Sequence, residues 1–463
     1  MIIGIIQSIY IVNFLSQSDY GSVQVVLGIA SIVGASQAFG LTSGSTREIS
    51  GAKDKEEAKK IFTTAFVIRL LISVPFALFL LVFAQKLSAE STNPKMFSLA
   101  IQIMGVALLI ESVQSVFTSL LSAYQKFSTL FTFQVFIALI SLPIYIFFIT
   151  YYGFIGYFYA YLTHNVIWSI IIAILSLKVF DYKVLIPNKQ EAITIFNRIF
   201  SISLSIYVVK LFFTVWKDSP KLYMNYILDT NAVVISVYAF AFLYASKLLI
   251  FSDSITDVTL PVMSKEFFKR KNKFIEVYQA NFNKTMLIII FAASVASFWN
   301  RDIIMLVIKP EYLPSTSIIP LIMFGVLSYS AINLLKSSVF VPAKKLKLLI
   351  SSYASMIIFV YISIVILMKF GFGSLNSVSI GFGLGTFLAL VYTLVLVKHF
   401  FKISFVSFLT IIFFVISSVY SLMFYIYTDT AVKFEITSIY FLIFLAFAVK
   451  YGITDIITSR FKK

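Results

Sequence analysis

The sequence predicts an all-α polytopic membrane protein with about fourteen transmembrane helices: two six-helix bundles in parallel repeat, then two C-terminal helices. Three observations predict it. Of 463 residues, 60% are hydrophobic and 12% charged, where a soluble domain carries roughly 25% charged residues. Fourteen apolar segments succeed one another, most of them near the ~20 residues needed to cross ~30 Å of hydrocarbon. A single offset of 218 residues also pairs positions along the first two-thirds of the chain.

The segments run at 1–16, 22–42, 61–84, 96–120, 127–150, 154–177, 199–226, 232–262, 285–308, 315–340, 347–369, 375–397, 404–427 and 436–457. Lys and Arg concentrate on the cytoplasmic side of membrane helices. Loops after even-numbered segments, with the C-terminal tail, hold 25 of the 37 Lys and Arg residues, and loops after odd-numbered segments hold 8. That asymmetry predicts a cytoplasmic C-terminus in the cytoplasmic membrane. Most of the net charge of +17 is thus orientation signal and does not argue for nucleic acid.

The offset pairs Tyr20 with Tyr238, Arg47 with Lys265, Glu48 with Glu266, Lys126 with Lys344, Gly153 with Gly371, and Phe154 with Phe372, in one register without gaps. Six spans return the chain to its starting side, so the halves share an orientation, as in transporters built from parallel repeats. The expected organisation is an N-terminal six-helix bundle at 1–180, a second at 198–400, and two extra helices with a basic tail at 404–463. Segment 7 starts near Ile199, so by the offset segment 1 would start before Met1, and the first span is expected to be truncated. Its start lacks the basic n-region and small-residue cleavage pattern of a signal peptide.

Residues 199–263 stand out, because an ionisable side chain at the bilayer centre costs ~2.5–3.5 kcal/mol and therefore faces a protein interior or watery cavity. On segment 7, Ser203, Tyr207, Lys210, Thr214, Lys217 and Lys221 step by three or four along one helical face. Asp218 is placed to neutralise one lysine, and Pro220 is expected to kink or end the helix. On segment 8, Tyr244, Lys247 and Ser254 share a face, and Asp253 and Asp257 form an i,i+4 carboxylate pair. The N-terminal half adds Arg47 in an inner loop, Arg69 in segment 3, and Glu111 with Gln114 in segment 4. The cations Lys210, Lys247, Arg69, Lys221 and Arg47 suit an anionic head group such as a phosphate or diphosphate. The acids Glu111, Asp218, Asp253 and Asp257 are candidates for ion coupling. Plainer accounts exist: Lys217, Lys221 and Arg69 can snorkel to a membrane face, the two late acids can be solvated at a helix end, and His164 with Asn165 can form an interior hydrogen-bonded pair.

Other chemistry is poorly supplied. Cysteine is absent and there are two histidines, His164 and His399, so no thiolate or His-rich metal site is expected, and no cofactor. No Gly-rich phosphate loop ending in Lys-Ser/Thr is present. The longest loop, around 264–284, is too small for a catalytic domain, so an enzyme is not expected.

Several stretches resemble a known family. Residues 15–50, LSQSDYGSVQVVLGIASIVGASQAFGLTSGSTREIS, resemble the opening of polysaccharide-exporting flippases: a Tyr-Gly turn, a span ending in Gly-Leu, then an Arg-containing inner loop. DSPKLYMNYILDTNAVVISVYAFA (218–241), LPVMSK (260–265) and KPEYLPSTSIIPLI (309–322) resemble further family segments. VISVYAFA departs from the pattern, since the family usually has a Gly before the Tyr. The similarity spreads over about residues 10–400 and includes no catalytic motif. It places the chain with the lipid-linked oligosaccharide flippases of the multidrug/oligosaccharidyl-lipid/polysaccharide exporter superfamily.

The resemblance implies two six-helix bundles around a cavity, commonly with two extra C-terminal helices. It implies movement of an undecaprenyl-diphosphate-linked oligosaccharide (an O-antigen, capsule or exopolysaccharide repeat unit) across the cytoplasmic membrane by alternating access. The expected partners are that lipid-linked substrate and the bilayer, with polysaccharide polymerase and glycosyltransferases as further candidates. Two alternatives stand: a lipid II or multidrug exporter of the same superfamily, and a membrane-embedded glycosyltransferase or ligase.

Overall fold

Residues 2–89, 91, 93–181, 183–250, 252–254, 271–401 and 406–452 are described by a computed structural model of the chain. In order, the helices are α1 (Ile2–Phe14), α2 (Gln17–Ala38), α3 (Leu41–Ser50), α4 (Lys55–Leu87), α5 (Pro94–Ala123), α6 (Phe127–Leu177), α7 (Lys189–Tyr226) and α8 (Ala232–Ser246). They continue as α9 (Lys271–Phe298), α10 (Asn300–Val307), α11 (Ser315–Leu335), α12 (Leu346–Lys369), α13 (Ser374–Phe401), α14 (Phe408–Leu422) and α15 (Thr430–Lys450). Among the described residues, 10 helices are long and apolar enough to cross a membrane. The chain is a multi-pass membrane protein. Side chains such as Leu71, Val82, Phe131 and Leu306 stay exposed, as they do where hydrocarbon rather than water is the solvent.

Helix starts follow capping chemistry. Ser16, Asp54, Asn93, Asn188, Ser407 and Asp429 each accept a hydrogen bond from a backbone N–H of the first turn that they precede, satisfying donors that the helix itself leaves open. Asn188 and Glu191 form a reciprocal capping box at the head of α7.

The chain packs as two compact units, Met1–Ser236 and Val237–Lys463. In the first, α4, α5 and α6 pack in succession, and α7 lies against α2, α3 and α4. Its interior includes a cluster of Phe62, Phe117 and Phe180. In the second, α12 packs on α13, α11 on α13, and α9 on α14. The expected bundle boundary near 180–198 followed the repeat; the division by packing falls at Ser236.

Each of the fourteen apolar segments carries a helix, with five differences from expectation. Segments 5 and 6 run together as α6, turned at Gly153 (φ 55, ψ −128), a conformation open to glycine alone. Segment 8 is interrupted after Ser246, where Lys247 N–H bonds to Tyr244 O and Leu248 N–H to Ala245 O, a tighter pattern, before helix resumes at 249–250. Ser246 Oγ also donates to Leu243 O, competing with the helical ladder. The face proposed for Tyr244, Lys247 and Ser254 is therefore not a continuous helical face.

Segment 9 breaks at Trp299 (φ −93, ψ 7). The Trp299 indole donates to Thr437 Oγ1 at 3.0 Å, and Asn300 Nδ2 donates to Ser297 O and Thr316 O. Segment 10 ends in a π-helical turn, Lys336–Phe340. Pro220, by contrast, neither ends α7 nor interrupts it. Membrane helices tolerate proline where neighbours satisfy the freed backbone.

The repeat is visible in backbone conformation. Gly153 and Gly371, one offset apart, both have positive φ, 55 and 82. Gln125 and Lys344 both sit at φ 55, and the next residues, Lys126 and Lys345, precede α6 and α12 with ψ 48 and 55. The two inner turns therefore correspond one residue out of the expected register, so the repeat carries a single-residue slip before its glycine turns.

Candidate functional site

A cavity of about 530 Å³ opens within the N-terminal unit. Helical spacing builds it. Glu111, Gln114, Ser115 and Thr118 project from one face of α5, and Tyr161, His164, Asn165 and Trp168 project from one face of the second half of α6. Steps of three, four and seven residues align side chains along a helix. Ser141 and Tyr145 from the first half of α6, Gln7 from α1, Thr42 from α3 and Lys210 from α7 complete the lining.

Hydrogen bonds hold this lining. Tyr161 donates its hydroxyl to Glu111 Oε1 in a short contact. Gln114 Nε2 donates to Asn165 O at 2.8 Å and Asn165 Oδ1 at 3.1 Å, and Asn165 Nδ2 donates to Tyr161 O. The expected His164–Asn165 pair is thus divided. Asn165 is bonded to α5, while the His164 ring meets Trp168 edge-on with centroids 5.5 Å apart.

Arg69 lies behind the cavity. Its Nη1 donates to Gln37 O at 3.0 Å and Ala38 O at 2.9 Å, the last carbonyls of α2, where no intrahelical donor is available. The cation also sits at the negative end of the α2 dipole. Beyond it the chain turns through Phe39 (φ 43) and Gly40 (φ 67) into α3. Arg69 is buried and interacts electrostatically with Glu111. It does not snorkel to a membrane face.

The cationic stripe of α7 divides. Lys210 is exposed and lines the cavity, close enough to Arg69 to feel its charge. Tyr207 turns to α2 and donates to Ser36 O at 2.9 Å. Lys221 is buried, its Nζ 2.8 Å from Asp218 Oδ1 and 3.5 Å from Gln24 Oε1. Asp218 also takes Lys217 at 3.2 Å and accepts from Ser31 Oγ at 2.6 Å. It neutralises two lysines where one was expected, and ties α7 to α2. Gly28 makes room, since a Cβ there would lie 2.8 Å from Lys221 Cε. The Ser203 side chain lies outside the described residues.

Arg47 is exposed on α3. Nearby charges are paired: Lys55 with Asp181 at 2.8 Å, Lys60 with Glu191 at 2.7 Å, and Arg198 with Glu48 and Glu57 at 3.1 and 3.3 Å. The Lys55 ammonium bonded to Asp181 holds that carboxyl below its ordinary range. Lys60, followed by the Asn188 backbone N–H, does the same for Glu191.

In the C-terminal unit, Lys247 is half-buried in the turn after α8. Asp253 is exposed and accepts from Asn333 Nδ2 at 2.8 Å; Asn333 itself is fully buried on α11. Tyr329, one offset from Glu111, and Tyr353 lie close enough to feel the Asp253 charge. Asp257 lies outside the described residues. Lys433 of α15 pairs with Asp302 of α10 at 2.6 Å and stands over the Phe298 and Trp299 rings, so an ion pair between a buried lysine and a half-buried aspartate joins α15 to α10 within this unit.

Sequence reasoning missed Tyr161, Tyr145, Trp168, Gln7 and Thr42 as cavity residues. The spacing of Tyr161, His164, Asn165 and Trp168 could have shown the α6 face, but in a chain with 26 Tyr and 50 Phe aromatic residues read first as lipid contacts.

The model of a family described as polysaccharide biosynthesis protein matches residues 1–267. A comparison with curated proteins finds no match. Among solved structures, the lipid II flippase MurJ in an inward closed conformation has a TM-score of 0.73 at 17% identity, covering 98% of this chain and 97% of that one. An inward-facing multidrug resistance MATE family transporter of the MOP superfamily has a TM-score of 0.65 at 16% identity, covering 86% and 94%. An outward-facing one has a TM-score of 0.59 at 17% identity, covering 86% and 92%. With the family model spanning more than half its length, this chain, on a fold shared with MurJ and the MATE transporters, belongs to the polysaccharide biosynthesis protein family.

Proposed function

We propose that the protein is a flippase that moves an undecaprenyl-diphosphate-linked oligosaccharide from the cytoplasmic to the outer leaflet by alternating access, with its C-terminus in the cytoplasm. The observation that carries this reading is the polar cavity of the N-terminal unit, with Lys210 exposed in its wall. A polar chamber at membrane depth signals a polar cargo. Family membership supplies the link to polysaccharide assembly. The structural neighbour named a lipid II flippase favours a lipid-linked saccharide over a drug.

In this reading Lys210 and Lys247 are each candidates to attract the diphosphate, as is Arg47, exposed on α3. Arg69 and Lys221 are less suited to that role, being occupied by the α2 carbonyls and by Asp218. Of the acids, Glu111 is the best placed for ion coupling, since it faces the cavity beside Arg69 and Tyr161. Asp218 is held by two lysines, and Asp253 is bound to Asn333. Polymerase and glycosyltransferases would act on either side of the same lipid.

The reading is tested by replacing Lys210 and Lys247 with Ala, separately and together, and assaying surface repeat unit in cells that depend on this protein. The expected result is a loss of export with normal membrane insertion. Full export by correctly inserted double variant would overturn the assignment of the two lysines. Export undiminished on deleting the protein would overturn the transport reading itself.

A further inference from the structure

The cavity of the N-terminal unit has unspent hydrogen-bonding capacity of both signs. Gln114 uses its amide nitrogen on Asn165, leaving Oε1 as an acceptor. Gln7 uses Oε1 to accept from Ser141 Oγ at 3.1 Å, leaving its NH2 as a donor. The hydroxyl of Thr42, the imidazole of His164 and the ammonium of Lys210 make no side-chain hydrogen bond or ion pair among the described residues. The Trp168 indole N–H is buried and has no hydrogen-bond partner among the described residues. A buried donor left open costs ~1–3 kcal/mol, and this one belongs to a residue of the cavity wall.

The same wall is aromatic. Trp168 lines the cavity, and its ring plane is set by edge-on contacts with Phe133 at 5.8 Å and His164 at 5.5 Å. Aromatic faces carry negative charge and attract C–H groups, which a pyranose presents on one face while its hydroxyls point outward. Neutral amides and hydroxyls serve as both donors and acceptors, matching sugar hydroxyls, which do both. Lys210 is the one cation and Glu111 the one acid in the lining, so most of the wall is neutral amide, hydroxyl and aromatic surface, and a diphosphate would engage it only at Lys210.

We infer that this cavity is a carbohydrate subsite, in which Trp168 stacks on a sugar ring and Gln114, Gln7, Thr42 and His164 bind its hydroxyl or N-acetyl groups. Its volume of about 530 Å³ lies within the ~300–1,000 Å³ of small-ligand pockets and accommodates a mono- or disaccharide. The inference rests on the transport reading and adds to it the part of the cargo that sits here. Selectivity among sugars follows, because a missing hydroxyl leaves one of these groups unpaired.

Tryptophan fluorescence tests it. The chain has three Trp residues, and replacing Trp216 and Trp299 with Phe leaves Trp168 as the sole reporter. If that background fails to fold, wild type minus Trp168→Phe gives the same signal. Purified protein is titrated with glucose, galactose, N-acetylglucosamine and their disaccharides, and separately with inorganic diphosphate and tetraphenylphosphonium. The expected result is a saturable Trp168 response to at least one saccharide, weakened about tenfold by Thr42→Val. No response to any saccharide, or a response that Thr42→Val and Gln114→Ala both leave unchanged, overturns the subsite. Export by wild type alongside a silent saccharide titration overturns the subsite alone and leaves the transport reading standing.

Discussion

Lys221 Nζ lies 2.8 Å from Asp218 Oδ1 within one turn of α7, and both side chains are in the interior of the N-terminal unit. Ser31 of α2 completes the carboxylate's coordination. Two of the ionisable groups that single out this helix in the sequence therefore serve to hold it against α2. Lys210, a few turns earlier on α7, is the one left facing the cavity.

Removing one member of such a pair strands the other as a buried charge, which costs about 3–5 kcal/mol. Asp218→Asn is expected to lower the thermal stability of the detergent-solubilised protein by that order. Adding Lys221→Met should recover a large part of the loss. A double variant no more stable than Asp218→Asn alone would show that the ion pair is not the cause.

Arg69 satisfies two carbonyls through one planar guanidinium nitrogen, and lysine cannot reproduce that geometry from a flexible stem. Arg69→Lys is expected to lose about 1–3 kcal/mol and to increase proteolysis at the α2–α3 junction. Arg69→Met should lose more, because Glu111 then lacks its nearby cation. Equal and negligible losses in limited proteolysis and thermal melts would remove the capping role.

The α12–α13 contact depends on close backbone approach. A Cβ on Gly385 would fall 2.4 Å from Val360 Cα, whereas one on Gly373 would meet nothing within 4 Å. Small residues let membrane helices approach in this way. Gly385→Ala is expected to destabilise by about 1–3 kcal/mol, and Gly373→Ala to change little. Melting both variants in one detergent decides it.

Asp181 and Glu191 hold their carboxyls below the ordinary values of 3.8 and 4.5 because Lys55 and Lys60 bond to them. A depressed folded-state value means that these ties stabilise the protein above the unfolded-chain value and fade as pH falls through the folded one. Hydrogen exchange in residues 183–198 should therefore be unchanged from pH 7 to about 5 and rise below pH 4, relative to helices without such pairs. Glu191→Gln should show raised exchange already at pH 7.

Much of the fold was legible in the chain. Apolar runs of membrane length and the paired glycines Gly153 and Gly371 obey local rules that hold wherever a segment sits. Breaks inside apolar runs were not legible. Trp299 and Ser246 interrupt helices through hydrogen bonds that hydropathy does not register. The continuity of α7 through Pro220 was equally hidden, since it depends on packing against neighbouring helices.

The candidate site was legible in its residue types and not in their roles. The sequence by itself determined a membrane protein with a duplicated six-span pattern, and it flagged Lys210, Glu111 and Arg69 as costly groups needing an explanation. Which cost is met by which partner was decided only by tertiary structure. Lys221 faces Asp218 and Arg69 faces the α2 carbonyls, while Lys210 faces open space beside Glu111, Gln114 and Trp168. The physical reason is that helical periodicity orients a side chain about its own axis, whereas a buried charge is satisfied or left free by what the neighbouring helices place opposite it.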